Sequence, residues 1–397
     1  MTRDVRAVDA EQPETVFAAL RDALAGAGPA VVPKEAGWRL RDESNSRETV
    51  AQNVALVIET SGSTGVPKRV ALSADALLAS AAASAGAMGG QGQWVLALPA
   101  HYVAGAQVLV RSLAAETEPL YYGSGHFDAG RFAALAEGLS HDLRYTSLVP
   151  VQLARLVEAA EGGARDVARA LRRFDGILVG GQALTPALRD RAESVGARIL
   201  STYGSSETAG GCVYDGVPIG TTVVRAVDGL LEIAGPTLAE GYLGDEGRTR
   251  VAFHEADGHR WYRTGDLGRV DDGRVTVLGR ADNVIISGGE KVLLDAVEEA
   301  VRSIPGLEGA VVVASDDEEW GQVPVVVAPG GREQRDNESL LGEVRGLVAE
   351  RVGRAGAPSR IVAVAELPLL SSGKPDRIAA ARIAAARIAA GSRESGA

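Results

Sequence analysis

Cysteine is almost missing from this chain: Cys212 stands alone among 397 residues. One thiol excludes an internal disulfide and a cysteine-built zinc site, and it fits a reducing cytosol. Aromatic residues are scarce at 4%, while Gly and Ala abound, so close packing of small side chains must carry the core. No apolar run approaches the roughly 18–20 residues that a membrane span needs. The opening MTRDVRAVDAEQPE has no apolar stretch of signal-peptide type, so a cytoplasmic protein without a membrane span is expected. Positive charge is in deficit: 41 Lys and Arg against 52 Asp and Glu leave a net charge of -11. That balance argues against nucleic acid or an anionic membrane as the main partner, though a few local cations suffice for a nucleotide. Apolar content of 46% supports a sizeable core, and the length points to two domains.

The most informative stretch is Thr60–Val70, T-S-G-S-T-G-V-P-K-R-V, directly after the apolar run Val54–Ile58. A buried strand that empties into a Gly- and hydroxyl-rich loop turns backbone N–H groups toward an anion, and Lys68 adds a point charge. A polyphosphate is the natural ligand. The P-loop pattern fails, because Pro67 precedes the lysine and Arg69 follows it, and the dinucleotide spacing is absent.

Along the rest of the chain, helical spacing covers Thr15–Ala27, and Ser73 is placed to cap a helix Ser73–Ala87. Trp94–Pro99, Leu143–Pro150, Gly176–Val179 and Arg198–Ser201 read as strands, with helices at Ala106–Leu113 and Val151–Glu161. This alternation predicts an α/β fold with mostly parallel sheets. From Val213 to Val277 short strands and Asp/Gly turns predict a β-rich subdomain, and beyond it an α+β unit. Domain limits of 1–281 and 282–397 follow. The tail repeats R-I-A-A-A; a five-residue step turns about 140° on a helix, so its isoleucines form no single stripe and an exposed helix is expected.

Five stretches in order, Thr60–Val70, Thr202–Thr208, Tyr262–Gly268, Gly279–Asp282 and Ser371–Lys374, closely resemble the signature motifs of the acyl-adenylate-forming enzymes. The resemblance runs across nearly the whole chain. It implies a large adenylation domain with a trimmed N-terminus and a small mobile C-terminal domain. It also implies a two-step reaction that uses ATP, Mg²⁺ and coenzyme A on a small carboxylic acid; the sequence leaves a homodimer open. Matched by motif, Thr60, Ser61, Gly62, Ser63, Thr64, Gly65 and Lys68 would hold the β- and γ-phosphates. Glu207 would hold Mg²⁺, a hard cation suited to carboxylate and phosphate oxygens. Thr208 would contact the α-phosphate. Gly181, Gln182, Tyr203 and Gly204 would line the adenine, and Asp266 with Arg280 the ribose. Lys374 would bridge the acid and the α-phosphate. Asp282 would be the hinge between domains, and Ser287, Gly288 and Gly289 would face the pantetheine arm. Taken singly, Lys374 could sit in a solvated turn and Glu207 in a helix cap; only registry with the other motifs favours the chemical roles.

The compact N-terminus, the L-P-A-H-Y-V-A-G segment and the run Ser147–Leu156 look most like the 2-succinylbenzoate–CoA ligases of menaquinone biosynthesis. His101, Tyr102, Gly105, Gly204 and Ser205 would then shape the acid pocket. Arg111, six residues after Gly105, either binds the acid's second carboxylate through a bidentate fork or is a surface arginine on a helix. Many such ligases read F-H-x-S-G here; this chain has Ala104 for the serine, and its histidine is shifted by one. Other aryl- or acyl-CoA ligases, a free-standing adenylation domain and a non-catalytic nucleotide sensor are the alternatives. Intact Lys68, Glu207, Asp266 and Lys374 argue against the sensor.

Overall fold

A computed structural model describes residues 1–35, 48–60, 68–330, 337–369 and 375–394. They divide into two compact units: residues 1–226, 232–264 and 270–275, and residues 227–231, 265–269 and 276–397. The expected limit at residue 282 therefore falls inside the continuous part of the second unit.

The first unit carries two sheets. In one, strands run in the order Gly241–Tyr242, Lys68–Ser73, Val54–Thr60, Ala30–Lys34, Thr2–Asp9, Thr49–Ala51. In the other the order is Val217–Pro218, Gly210–Tyr214, Ile199–Ser205, Gly176–Val179, Arg144–Leu148, Gln93–Leu96, Leu120–Tyr121. The last five of these pair in parallel, as the alternation of strands and helices demands. Their buried residues, including Val95, Leu148, Ile177, Val179 and Ile199, share one core with Phe132, Leu153, Leu156 and Phe174 from the flanking helices. Two expected helices appear as Ala74–Met88, where the Ser73 side chain accepts from the Ala76 N–H, and Val103–Ala114.

The β-rich stretch forms a third sheet, ordered Val223–Val227, Leu230–Ala234, His259–Asp271, Phe253–Ala256, with Arg274–Arg280 on His259–Asp271. Four Asp-Gly pairs turn its hairpins and the neighbouring one: Asp215-Gly216, Asp228-Gly229, Asp257-Gly258 and Asp272-Gly273. All eight residues have positive φ, between 48° and 79°. That conformation defines the tight hairpin turn whose twist matches the strands, and Asp-Gly tolerates it best.

In the second unit, strands run Glu290–Leu293, Val284–Ser287, Gly321–Pro329, Val311–Asp317, with Arg360–Val364 parallel to Gly321–Pro329. Side chains of Val311–Asp317 alternate between two cores. Val312 packs with Val297, Val301, Val344 and Val348 of two helices, and Val311 and Val313 pack with Ala380 and Ala384. The tail is thus a buried-faced helix, Arg377–Glu394, and not the exposed one expected. The isoleucine spacing misled because the alanines make the contact: four apart, they share a face and let the backbone come close to the sheet. Among the described residues no helix is long and apolar enough to cross a membrane.

Candidate active site

The signature loop hangs from the hairpin Val54–Thr60/Lys68–Ser73. Its register pairs Thr60 with Lys68 and Glu59 with Arg69. Cross-strand partners share a face, and successive residues point to opposite faces. Lys68 therefore lies with Thr60 on one side, where its Nζ sits 5.6 Å from the centre of the Tyr242 ring. Arg69 is on the other, where Nε lies 3.3 Å from Glu59 and the guanidinium pairs with Glu48. Glu59 also binds Lys34 at 2.6 Å. The arginine where a glycine is common thus stitches strand ends together. Ser61, Gly62, Ser63, Thr64 and Gly65 lie outside the described residues.

The second motif closes the hairpin Ile199–Ser205/Gly210–Tyr214. A register shift falls between Tyr203 and Gly204. A side chain at Gly204 would place its Cβ 2.8 Å from the carbonyl carbon of Gly210, so only glycine fits. Thr208 is fully buried; its hydroxyl accepts from the Ser205 N–H at 2.9 Å and donates to the Gly210 carbonyl at 2.8 Å. The turn so tied presents Glu207, 6% exposed, whose Oε1 accepts from the Tyr242 hydroxyl at 2.8 Å. Its carbonyl accepts from the Ala239 N–H. Half-buried Tyr203 stands beside Gly204, and Gly181, at φ 81°, opens the turn that carries half-buried Gln182.

Glu207 suits a divalent cation. It is a carboxylate whose Oε1 is engaged by Tyr242, and Lys68 lies near the same phenol. No group of three or more His, Cys, Asp or Glu among the described residues could hold a metal alone. A cation here would take further ligands from phosphate and water, as Mg²⁺ commonly does.

The third cluster begins at His101 and Tyr102, whose rings are 4.1 Å apart, just before the helix Val103–Ala114. Gly105 packs on the preceding backbone: a Cβ there would lie 2.7 Å from the Pro99 carbonyl carbon. Its role is close packing of this helix. One turn apart on it, Gln107 and Arg111 are both buried. Arg111, 6% exposed, is no surface arginine. Its Nη2 lies 3.5 Å from the Tyr214 hydroxyl, its guanidinium 5.0 Å from the Trp94 ring, and its Nε has no partner among the described residues. Burial pulls its pKa below the usual arginine range. Tyr214 is braced by Ser84 at 2.6 Å.

Three further buried polar atoms lack a partner among the described residues: His101 Nε2, Gln107 Oε1 and Ser205 Oγ. Ser205 pairs with Gly210, and a Cβ on Gly210 would touch Gln107, so hairpin and helix face each other. Buried polar atoms are nearly always hydrogen-bonded. Gln107 and Ser205, facing each other without partners among the described residues, mark a place for a polar ligand. Tyr214 also lines a cavity of about 710 Å³ walled by Ala83, Ala87, Leu200, Ile219 and Thr237.

Comparison with known proteins gives the family. The model of AMP-binding enzymes matches residues 4–243, and that of the AMP-binding enzyme C-terminal domain matches residues 296–374. The chain belongs to the AMP-binding enzyme family. A probable 2-succinylbenzoate–CoA ligase of Mycobacterium tuberculosis is 37% identical over 372 residues, covering 92% of this chain and 94% of the relative. The 2-succinylbenzoate–CoA ligase of Salmonella typhimurium is 32% identical over 286 residues, 70% of this chain and 58% of that protein. Among solved structures, the O-succinylbenzoate coenzyme A synthetase of Bacillus subtilis in complex with AMP superposes with a TM-score of 0.69 at 25% identity, over 82% of this chain and 68% of that one.

Within the second unit of this AMP-binding enzyme, Arg280 pairs with Asp266 at 3.0 Å and with Asp282 at 3.2 Å. Asp295 accepts from the Arg280 N–H and from the Asn283 amide, fixing the turn Ala281–Asn283. Ser287 is buried, and Gly288 and Gly289 have φ of 56° and 85°. A Cβ on Gly288 would meet the half-exposed Trp320 ring. Lys374 lies outside the described residues; the bridge Leu369–Pro375 brackets its segment, and Arg377, three residues on, is anchored on Glu298. Tyr242, Tyr214, Gln107, Asp295 and Trp320 escaped the sequence reading, since each acts through a neighbour distant in sequence.

Proposed function

We propose that this chain is an ATP-dependent, AMP-forming acid–thiol ligase acting on 2-succinylbenzoate, the step that the family resemblance places in menaquinone biosynthesis, in the cytoplasm. A carboxylate oxygen of the acid attacks the α-phosphorus of ATP, and the bond to the bridging oxygen of pyrophosphate breaks. The thiolate of coenzyme A then attacks the acyl carbon, and the bond to AMP breaks. Adenylate formation demands positioning and charge neutralisation more than covalent help from the protein. Lys68 supplies an ammonium at the base of the phosphate loop, and Thr60 to Gly65 supply backbone N–H groups and hydroxyls. A bound Mg²⁺ would neutralise phosphate charge, with Glu207 its protein ligand. Asp266, held by Arg280, accepts from the ribose hydroxyls. Lys374 completes the charge set around the reacting carboxylate, and Ser287, Gly288 and Gly289 border the thiol's approach.

The observation that carries the choice of acid is Arg111: a buried guanidinium with no carboxylate partner among the described residues, one helical turn from Gln107, whose Oε1 is also without a partner among them. A buried cation without a counter-ion is expensive. A substrate with a second carboxylate would supply that counter-ion when bound. The 37% identity to the Mycobacterium tuberculosis ligase over nearly the whole chain supports the same reading.

The test is an assay with ATP, Mg²⁺ and coenzyme A on 2-succinylbenzoate, benzoate, salicylate and a medium-chain fatty acid, following pyrophosphate and thioester. Thioester from 2-succinylbenzoate alone, lost in Lys374→Ala, is the expected result. Pyrophosphate without thioester would redirect the second step to a carrier protein. Turnover of another acid only would overturn the substrate.

A further inference from the structure

Tyr242 touches both charged groups of the phosphate site. The strand Gly241–Tyr242 runs antiparallel to Lys68–Ser73, with Tyr242 opposite Val70. Lys68, two residues before Val70, is on the same face and diagonal to it. That register puts the ammonium 5.6 Å from the ring centre, while the hydroxyl reaches Glu207 at 2.8 Å. The ring is 7% exposed and packs on Phe253.

The backbone under it is equally fixed. The Tyr242 N–H donates to the Thr249 hydroxyl at 2.9 Å, and that hydroxyl donates to the Asp245 carbonyl at 2.8 Å. Gly241, at φ 149°, brings the chain too close to Thr249 for a Cβ. Tyr262 hydrogen-bonds the Tyr242 phenol. The phenol's single proton faces Glu207 Oε1.

We propose that Tyr242 is a positioning residue of the adenylation site, fixing the Glu207 carboxylate and the Lys68 ammonium relative to each other so that metal and phosphate charge are met together. The proposal rests on the reading of Glu207 as the Mg²⁺ ligand. Two separable contacts carry it. The hydroxyl orients the carboxylate through a charge-assisted hydrogen bond, and the ring seats the ammonium by cation–π attraction. A buried tyrosine that merely filled space would need neither.

The experiment is a calorimetric titration of Mg²⁺ into protein saturated with a non-hydrolysable ATP analogue, with thermal unfolding and acid KM measured alongside. For Tyr242→Phe, which keeps the ring, Mg²⁺ binding should weaken roughly tenfold with acid KM unchanged. Tyr242→Leu should in addition weaken binding of the metal-free analogue several-fold, roughly what one cation–π contact is worth. Tyr262→Phe removes the outer hydroxyl and should weaken Mg²⁺ binding in the same direction by less; it also serves if Tyr242→Phe does not fold. Glu207→Gln is the reference. If Tyr242→Phe and Tyr262→Phe fold and bind Mg²⁺ like the parent while Glu207→Gln does not, Tyr242 is packing and the proposal is wrong. If Glu207→Gln also binds Mg²⁺ like the parent, the metal role of Glu207 fails first and takes the proposal with it.

Discussion

Replacing Arg111 by methionine should make the protein more stable and a worse enzyme. The guanidinium is 6% exposed, and its contacts are one weak hydrogen bond to Tyr214 at 3.5 Å and the face of Trp94 at 5.0 Å. Burying an ion without a counter-ion costs several kcal/mol, and a desolvated cation–π contact returns about 2 kcal/mol. A methionine of similar length keeps the apolar contact and removes the charge. A net gain of about 1–3 kcal/mol follows, and each kcal/mol raises Tm by roughly 2–4 °C in a domain of this size. Binding moves the other way. A bidentate, charge-assisted pair to the second carboxylate is worth about 2–3 kcal/mol, so KM for 2-succinylbenzoate should rise by roughly 30–150-fold. Benzoate, which has no second carboxylate, should be turned over at least as well as before. Scanning calorimetry and pyrophosphate release with both acids read the two effects separately. A Tm several degrees lower with KM for 2-succinylbenzoate unchanged would refute the reasoning. Arg111 would then be a structural cation, satisfied by Trp94 and Tyr214.

Three other substitutions test the site and the frame. Gly204→Ala forces a Cβ onto the Gly210 carbonyl carbon at 2.8 Å, and should cost about 3 kcal/mol or more by opening the hairpin that presents Glu207; a folded variant of parental Tm would contradict it. His101 is half-buried, and burial depresses its pKa below the ordinary 6.5, so the unfolded chain binds the extra proton first. Its contribution is present above pH 6.5 and is lost as pH falls below that value. Urea unfolding at pH 5 and pH 7 should show a smaller difference in His101→Phe than in the parent, and an equal difference would sink the prediction. Ala384→Glu places a carboxylate against Val311, Val313, Val325 and Val327, where the alanine is 1% exposed. It should destabilise the second unit by about 3 kcal/mol or more, seen as a separate early calorimetric transition, whereas an exposed tail helix would tolerate it.

Much of the frame is legible in the sequence because local rules act alone there. Ser73 caps its helix through its own side chain, and the four Asp-Gly pairs turn hairpins by their own backbone preferences. Apolar runs such as Gly176–Val179 become strands of the expected length. Where the local pattern is mixed, the reading stops. Thr2–Asp9 alternates charged and apolar residues that no single window distinguishes from a loop, and its pairing with Ala30–Lys34 is what makes it a strand. Arg165–Arg173 carries so much charge that its three buried residues, Val167, Ala170 and Leu171, are visible only from the core they join. The tail failed for another reason. Hydrophobic periodicity was sought in isoleucines, while the face that docks is drawn in alanines.

The same division runs through the site and explains why reaction class was easier to read than substrate. On the proposed reading, the groups that meet ATP follow strands in the sequence, and glycines and hydroxyls must stand in fixed order there for the backbone itself to bind phosphate. Such an order survives as a motif, and Thr60–Val70 and Thr202–Thr208 are legible for that reason. Selecting the acid needs no contiguous order. On the proposed reading it rests on a cation on one helix, a brace on another and an absence of side chain on a hairpin: Arg111, Ser84 with Tyr214, and Gly210. These come from stretches separated by up to 130 positions, and none is informative without the others. Even Glu207, conspicuous in its motif, takes its orientation from a tyrosine 35 positions further on. Sequence order records what the backbone binds; what the side chains select is recorded only by the packing that brings them together.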